Sequence, residues 1–254
     1  MKKHGEKKNG RGIVYFIGAG PGDEELITVK GVKRLQEADV IIYDRLVNKE
    51  LLRYGRVGAE LIYCGKAPQK HTLTQEEINR LLVEKARQGK VVARLKGGDP
   101  GVFGRVGEEA AWCARHQVPF EWIPGVTSGV AAPAYAGIPL THREHSSSVA
   151  FVTGTEGEER EGGVRWDLLA KAADTLVIYM GVGRLEAICR QLMEHGRSPE
   201  TPAALISWGT WECQETVTGT LATLPPLVRA KGLKAPAIIV VGDAVAQKTV
   251  LDII

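Results

Sequence analysis

The chain has 254 residues, of which 44% are hydrophobic and 25% charged, and its formal net charge is +3. These proportions are typical of a globular protein with one large domain or two smaller ones, and they exclude a largely disordered or fibrous chain. No apolar run approaches the roughly 18 residues of a membrane span, and the chain begins with polar residues instead of an apolar secretory segment. We therefore expect a cytoplasmic protein without a membrane partner.

The basic residues are concentrated at the start of the chain, where residues 1–11 contain five lysines or arginines. No basic stretch interleaved with aromatic side chains follows, so we interpret residues 1–11 as a solvated basic tail and expect no nucleic-acid partner. The cysteines are far apart and lack the paired spacing of metal ligands, so we predict neither a disulfide framework nor a metal site. They are Cys64, Cys113, Cys189 and Cys213.

The first half of the chain alternates between apolar strands and amphipathic helices. Periodicity predicts strands at 13–17, 40–43, 61–64, 91–95 and 120–123, and helices at 24–37, 74–88 and 104–115. The second helix begins with a Thr-x-x-Glu capping box formed by Thr74 and Glu77. Because the strands are continuously apolar, we expect both faces of this sheet to be buried.

A segment of small residues, 129–135, follows the fifth strand and is predicted to be a closely packed helix. Pro133, Pro139 and nearby glycines favour a domain junction here, so we predict an N-terminal α/β domain over 12–130 and a C-terminal α/β domain over 131–254. In the second domain we expect a helix at 185–195 and a charged loop at 156–163. Strands are predicted at 147–153, 175–180, 203–207, 215–219 and 237–241.

Glycine-rich turns follow the first and fourth strands, at residues 18–23 and 97–101. Such turns permit positive φ and a close approach of backbone to a ligand, although a lone Gly-Gly pair is as often a plain turn. Together with Asp44, the first turn imitates a dinucleotide fingerprint, but Asp23 replaces the third glycine and Glu24 and Glu25 follow it. Acids at a helix N-terminus would repel a pyrophosphate, so we do not favour NAD or FAD as the ligand.

Several motifs together carry a family resemblance that extends over almost all of the chain after the tail. The motifs are Val14–Asp23, Tyr43–Val47, Gly65-Lys66, Arg94–Arg105 with Gly107-Glu108-Glu109, Pro124–Ser128, Gly137–Arg143 and Tyr179–Gly181. They resemble the tetrapyrrole methylases, and most specifically the uroporphyrinogen-III C-methyltransferases.

This resemblance implies two α/β domains with S-adenosylmethionine in the cleft between them, and a homodimer. It also implies two successive methyl transfers to uroporphyrinogen III, giving precorrin-2 and S-adenosylhomocysteine, on the route to sirohaem and cobalamin. The alternatives are a methylase of a later corrin precursor, a methylase of the diphthine precursor, and a nucleotide-binding protein without catalytic activity.

The resemblance also implies which residues contact the cofactor. The matching positions are Pro21, Gly97, Gly98, Asp99, Val102, Thr127, Ser128, Met180 and Gly209. Simpler interpretations remain open for some of them, because Met180 would also suit the core at a strand end and Thr127-Ser128 would suit a helix cap.

Asp44 and Lys66 match the family's proton acceptor and proton donor. The alternatives are an ion pair of Asp44 with Arg45 and a solvated loop lysine at position 66. A substrate with eight carboxylates also needs cations, and arginine is preferred for forked carboxylate contacts. Besides Lys66, the expected substrate-binding residues are Arg45, Arg94, Arg105, His142 and Arg143.

Two departures from the family pattern affect these assignments. Val106 stands where the family commonly has a second glycine, which predicts a tighter loop before the helix. Trp208-Gly209-Thr210 replaces the family's Asn-Gly-Thr, which puts the Gly209 assignment in question.

Overall fold

The computed structural model describes residues 12–65, 73–155 and 163–249. These residues form two compact units, and the chain divides between Thr127 and Ser128. Each unit contains one five-stranded sheet with helices, which confirms the predicted class of two α/β units. In the described part of the chain, no helix is long and apolar enough to cross a membrane.

The first unit is built on a parallel sheet with the strand order β3-β2-β4-β1-β5. Its strands are β1 (Ile13–Gly18), β2 (Val40–Tyr43), β3 (Glu60–Tyr63), β4 (Val91–Lys96) and β5 (Phe120–Ile123). Its helices are α1 (Val29–Glu37), α2 (Gln75–Arg87) and α3 (Val106–Arg115).

The central strands of this sheet are buried on both faces, as their continuous apolar sequence predicts. Val14 and Phe16 of β1 join the apolar cluster under α2 and α3, whereas Tyr15 and Ile17 join the cluster that contains Leu35 of α1. The prediction is wrong for the edge strands β3 and β5, because each has one neighbour, and Leu61 and Trp122 are 51% and 43% exposed.

The helix predicted at 24–37 is wrong in its first turn. A short 3₁₀ turn, Glu24–Leu26, is capped by the Asp23 side chain, and the backbone is then extended at Ile27 and Thr28. The Thr28 side chain accepts the Gly31 amide at 3.0 Å, so α1 begins after this cap. The capping box of Thr74 and Glu77 is present at the start of α2, as predicted.

The helix predicted from residue 104 also begins later, at Val106. Arg105 precedes it with a left-handed φ of 57°, and the Val106 side chain is buried in the cluster under α2 and α3. The valine that replaces the expected glycine therefore supplies core packing where the loop becomes helix.

The second unit has a mixed sheet with the strand order β6-β7-β10-β8-β9. β6 and β7 are parallel, and the other three pairings are antiparallel. The strands are β6 (Val149–Thr153), β7 (Thr175–Tyr179), β8 (Pro202–Ser207), β9 (Glu215–Thr220) and β10 (Ala237–Val241). The helices are α4 (Ser128–Tyr135), α5 (Trp166–Ala172), α6 (Leu185–Glu194) and α7 (Leu224–Lys231).

Some details of the second unit were not predicted from the sequence. Helix α5 was missed, although it buries Trp166 and Ala170 against one apolar core. The predicted division after residue 130 falls inside α4.

Residues 1–11 and most of the predicted loop at 156–163 lie outside the described residues.

Candidate active site

Three glycines meet at the carboxyl edge of the first sheet. β4, β1 and β5 are neighbours there, and Gly98, Gly18 and Gly125 lie where these strands end. A Cβ on Gly18 would lie 2.5 Å from Gly125 Cα, and a Cβ on Gly125 would lie 2.4 Å from the carbonyl oxygen of Gly98. The backbones touch, so only glycine fits at Gly18 and Gly125.

The two glycine-rich turns are joined to each other by hydrogen bonds. The Gly20 amide donates to the Gly98 carbonyl at 3.2 Å, and the Gly98 amide donates to the Gly20 carbonyl at 2.7 Å. Gly20 and Gly98 have positive φ values of 78° and 68°. The two turns are therefore parts of one backbone platform, which the sequence did not reveal.

Asp99 fastens this platform to the loop after β5. Its Oδ1 accepts the Gly101 amide at 2.7 Å, and its Oδ2 accepts the Gly125 amide at 2.9 Å. An ionised carboxylate has about four acceptor positions, so Asp99 can accept further hydrogen bonds from a ligand. It is partly exposed and therefore accessible to one.

Six of the predicted cofactor contacts lie at this edge of the first unit. They are Pro21, Gly97, Gly98, Asp99, Val102 and Thr127, and all six are partly exposed. Gly97 is also sterically required, because a Cβ there would lie 2.9 Å from Leu46 Cβ in the loop after β2.

The other three predicted contacts belong to the second unit. Ser128 is the first residue of α4, and Met180 and Gly209 follow β7 and β8. These strands flank the start of β10, where Tyr179 pairs with Ile238 and Ser207 pairs with Ala237. Met180 and Gly209 are therefore brought to one edge of the second sheet.

Met180 does not belong to the core. It follows β7 with a left-handed φ of 54°, and it is 52% exposed. The Thr155 hydroxyl lies 3.8 Å from its sulfur. A flexible apolar side chain that is exposed at a strained backbone position is typical of a binding surface.

Close packing explains the glycine of the Trp208-Gly209-Thr210 turn, and its contact with the cofactor stays a prediction. Trp208 and Thr210 have left-handed φ values of 50° and 71°. A Cβ on Gly209 would lie 2.2 Å from the Ala132 Cβ of α4, so a side chain is excluded there. The Trp208 and Trp211 rings meet edge to face at 5.6 Å.

Asp44 follows β2 at the carboxyl edge of the first sheet. Its Oδ1 accepts the Leu46 amide at 3.1 Å, and its Oδ2 lies 3.7 Å from Arg94 Nη2. Its ion-pair partner among the described residues is therefore Arg94, and the alternative pairing with Arg45 is wrong. Lys66, the predicted proton donor, lies outside the described residues.

Arg94 does not lie where a substrate-binding residue would. It is only 3% exposed, and its Nε donates to Glu109 Oε1 at 3.2 Å. Lys96 donates to both Glu109 oxygens at 3.0 Å. Because the side chain is enclosed in the unit, the expected contact of Arg94 with a carboxylate-rich substrate is not supported.

Lys96 and Glu109 were missed as candidate residues, although two signals were available. Arg94 and Lys96 are two residues apart on a strand, so their side chains share one face of the sheet. Glu109 lies in the first turn of α3, the helix that follows this strand.

The remaining predicted cations lie in loops. Arg45 and Arg105 are exposed in the first unit, and Arg105 makes a bidentate ion pair with Glu108 at 2.8 and 2.7 Å. His142 and Arg143 occupy one turn of the second unit, where Arg143 is exposed and His142 partly so. Surface ion pairs of this kind are weak, so the pair with Glu108 does not prevent Arg105 from contacting another carboxylate.

The turn that contains His142 also brings together three potential metal donors. Ligand atoms of His142, Glu144 and His145 lie within 4.8 Å of one another, and the two imidazole rings stack at 4.7 Å. The Nδ1 of His142 accepts the Glu144 amide at 3.2 Å. Because this nitrogen is engaged and two of the side chains are exposed, we assign no metal to the turn.

Comparisons with known proteins identify the family of this chain. Residues 13–225 match the sequence model of the Tetrapyrrole (Corrin/Porphyrin) Methylases. A uroporphyrinogen-III C-methyltransferase of Priestia megaterium is 57% identical over 234 residues, which cover 92% of this chain and 98% of the relative. One from Methanocaldococcus jannaschii is 50% identical over 235 residues, covering 92% of this chain and 97% of the relative.

A solved structure is similar over nearly the same extent. The uroporphyrin-III C-methyltransferase of Thermus thermophilus, crystallised in complex with S-adenosylhomocysteine, is 40% identical with a TM-score of 0.77. The match covers 92% of this chain and 98% of that one. The chain therefore belongs to the tetrapyrrole methylase family.

Proposed function

We propose that this chain is an S-adenosylmethionine-dependent C-methyltransferase that converts uroporphyrinogen III to precorrin-2 by two successive methyl transfers. The main observation behind the proposal is the backbone platform formed by the two glycine-rich turns, in a chain of this family. Gly18 and Gly98 pack against Gly125 there, and Asp99 fastens the platform to the loop after β5. The relatives that carry the same name, at 57% and 50% identity over nearly their whole length, support this choice of substrate.

The cofactor contacts we propose are the nine residues implied by the resemblance. In the first unit, the glycines allow the backbone to approach a ligand, and Asp99 offers acceptor positions to hydroxyl or ammonium groups. In the second unit, Met180 offers an exposed apolar surface at the same sheet edge as Gly209, and Ser128 is the first residue of α4. The first unit therefore presents groups that suit the polar parts of such a ligand, and the second unit presents a surface that suits its apolar parts.

The chemistry requires positioning and one proton transfer for each methyl group. When bound, the cofactor supplies a methyl group that its sulfonium already activates. The protein must hold an electron-rich pyrrole carbon in line with this group, and a base must then remove a proton from the ring system. We assign the base to Asp44. Because each methyl transfer releases one proton overall, the proton donor that the resemblance implies at Lys66 would serve only to move a proton between positions of the ring system.

Substrate recognition is assigned to exposed cations. Arg45 and Arg105 in the first unit and His142 and Arg143 in the second can meet carboxylates of the substrate. Arg94 is left out of this group, because it is buried and paired with Glu109.

The direct test is incubation of the protein with uroporphyrinogen III and methyl-labelled S-adenosylmethionine, followed by mass spectrometry of the tetrapyrrole. We expect the addition of two labelled methyl groups. If uroporphyrinogen III gains none while precorrin-2 gains one, the enzyme is a methylase of a later corrin precursor. If neither gains a methyl group, the methyltransferase proposal is wrong.

We also infer that the chain forms a homodimer and works in the cytoplasm. Phe120 and Trp122 on the edge strand β5 are exposed, which suits an interface between chains. All four cysteines are free, as is usual in a reducing compartment. Light scattering after size-exclusion chromatography should give twice the chain mass of 27.5 kDa, and a monomer mass would contradict the first inference.

A further inference from the structure

A buried charge cluster contacts Asp44 and has no role in the reaction described above. The cluster consists of Arg94 and Lys96 of β4 and Glu109 of α3, which are 3%, 5% and 0% exposed. Glu109 bridges the two cations at 3.2 and 3.0 Å, and Arg94 reaches Asp44 at 3.7 Å.

The charges of this cluster balance only when Asp44 is included. Two cations and one carboxylate inside the unit leave one positive charge, and the ionised carboxylate of Asp44 offsets it. Burying charged groups costs free energy, and apolar replacements of buried ion pairs are often neutral or stabilising. Stability alone therefore does not explain why three charged groups lie here.

Among the described residues, the other groups around the cluster leave this balance unchanged. Gln75 of α2 donates to Glu109 Oε1 at 3.1 Å without contributing charge. Burial raises the pKa of Cys64, and burial beside Glu109 raises the pKa of Cys113 to about 11, so both thiols are neutral near pH 7. Glu108 acts on Lys96 only from the exposed side of α3, where it pairs with Arg105.

We propose that Glu109 is a positioning residue for Asp44, which acts by holding Arg94 toward the Asp44 carboxylate while Lys96 balances the charge of Glu109. This proposal rests on the assignment of Asp44 as the proton acceptor. An intact cluster holds Arg94 at 3.7 Å from the Asp44 carboxylate and so keeps this carboxylate in one orientation for accepting a proton.

The cluster also gives a reason for the proton to leave again. When Asp44 takes up a proton, the buried positive charge is no longer offset. Burial, together with the nearby Arg94, lowers the pKa of Lys96. Holding the Lys96 ammonium beside Arg94 therefore already costs free energy. Protonation of Asp44 therefore leaves an uncompensated positive charge in the cluster between the two methyl transfers.

The kinetic test compares Glu109→Gln, Lys96→Met and the double variant with wild-type protein. In Glu109→Gln we expect kcat to fall roughly tenfold or more, with the KM for S-adenosylmethionine within about twofold of wild type. The acidic limb of the kcat pH profile should move to lower pH in Glu109→Gln, because a negative charge is lost near the base. In Lys96→Met the acidic limb should move to higher pH, because a positive charge is lost. We expect a shift of about half a pH unit or more in each single variant, and a limb close to that of wild type in the double variant.

The matched control is Glu121→Gln. Glu121 also bridges an arginine and a lysine, Arg34 and Lys30, but it lies on β5, three strands away from β2 in the same sheet. We expect its pH profile to match that of wild type. If Glu109 had a purely structural role, Glu109→Gln would lower stability and kcat. The acidic limbs of the pH profiles of Glu109→Gln and Lys96→Met would then not move in opposite directions.

A second measurement needs no substrate. The Lys96 amine is titrated by ¹⁵N NMR of lysine-labelled protein, with its signal assigned by its loss in Lys96→Met. The titration should move to lower pH in Glu109→Gln and in Asp44→Asn, because each change removes a carboxylate that favours the ammonium form.

The two proposals can fail separately. Wild-type protein that methylates no tetrapyrrole contradicts the proposed function, whereas the Lys96 titration still tests the coupling to Asp44. If Glu109→Gln does not fold, Lys96→Met and Asp44→Asn still carry the test. The proposal is overturned if the acidic limb and the Lys96 titration both stay at their wild-type positions in the variants that fold.

Discussion

Gly125→Ala tests whether the glycine platform must be closely packed in order to bind the cofactor. The new Cβ would lie 2.4 Å from the Gly98 carbonyl oxygen and 2.7 Å from Gly18 Cα. Both are backbone atoms, so no side-chain rotation relieves the overlap. Overpacking of this kind costs about 1 to 3 kcal/mol.

Relieving this overlap would displace the backbone at Gly98. It would also move Gly125, whose amide donates a hydrogen bond to Asp99. We therefore expect weaker binding of S-adenosylhomocysteine as well as lower stability. If about 1.4 kcal/mol of the strain is expressed in the bound state, affinity falls roughly tenfold. Isothermal titration calorimetry measures the affinity, and urea unfolding measures the stability.

Gly107→Ala is the matched control. Gly107 lies in α3, and a Cβ there would meet no atom within 4 Å. Alanine should stabilise the helix by about 0.5 to 1 kcal/mol and leave the cofactor affinity unchanged. Wild-type affinity and stability in Gly125→Ala would refute the requirement for close packing.

Three further predictions follow from single contacts. Asp99→Ala removes the acceptor of two backbone amides, so the affinity for S-adenosylhomocysteine should fall at least about tenfold by calorimetry, and unchanged affinity would contradict its assignment. Tyr179→Phe leaves the buried Gly129 amide without the hydroxyl that it contacts at 2.8 Å, so urea unfolding should show a loss of about 1 to 3 kcal/mol, whereas wild-type stability would argue against this bond. Burial, with the nearby Glu37 carboxylate, raises the pKa of Tyr15 from 10.0 to about 12. The contribution of the neutral phenol to stability is therefore complete below pH 10.0 and is lost as the pH rises through about 12. Over that interval Tyr15→Phe should lose less stability than wild type, and parallel pH curves would contradict the shift.

Local pattern was sufficient to predict most elements of the fold. Apolar or alternating runs located the ten strands of the described residues to within a few residues, because burial on two faces favours a continuous apolar run and burial on one face favours alternation. The capping box at Thr74 was equally local, since both of its residues lie within one helical turn. One element that was missed, α5, is a helix of seven residues, too short to show a clear period.

The resemblance named the candidate residues, but their contacts were decided by tertiary structure. The sequence shows Gly18 and Gly98 in separate turns, and their approach to Gly125 depends on β4, β1 and β5 being neighbours. The same pattern makes β3 look buried, although its place at the edge of the sheet exposes Leu61.

Arg94 shows this division most clearly. Its motif predicts a cation for an acidic substrate, whereas the fold encloses it with Glu109, a residue fifteen positions later in the chain. Sequence by itself determined which side chains are apolar, flexible or ionisable at each position, because these are properties of single residues and short periods. Only the tertiary structure decided which charges face each other, because pairing depends on strand order and on the helix that covers the strand.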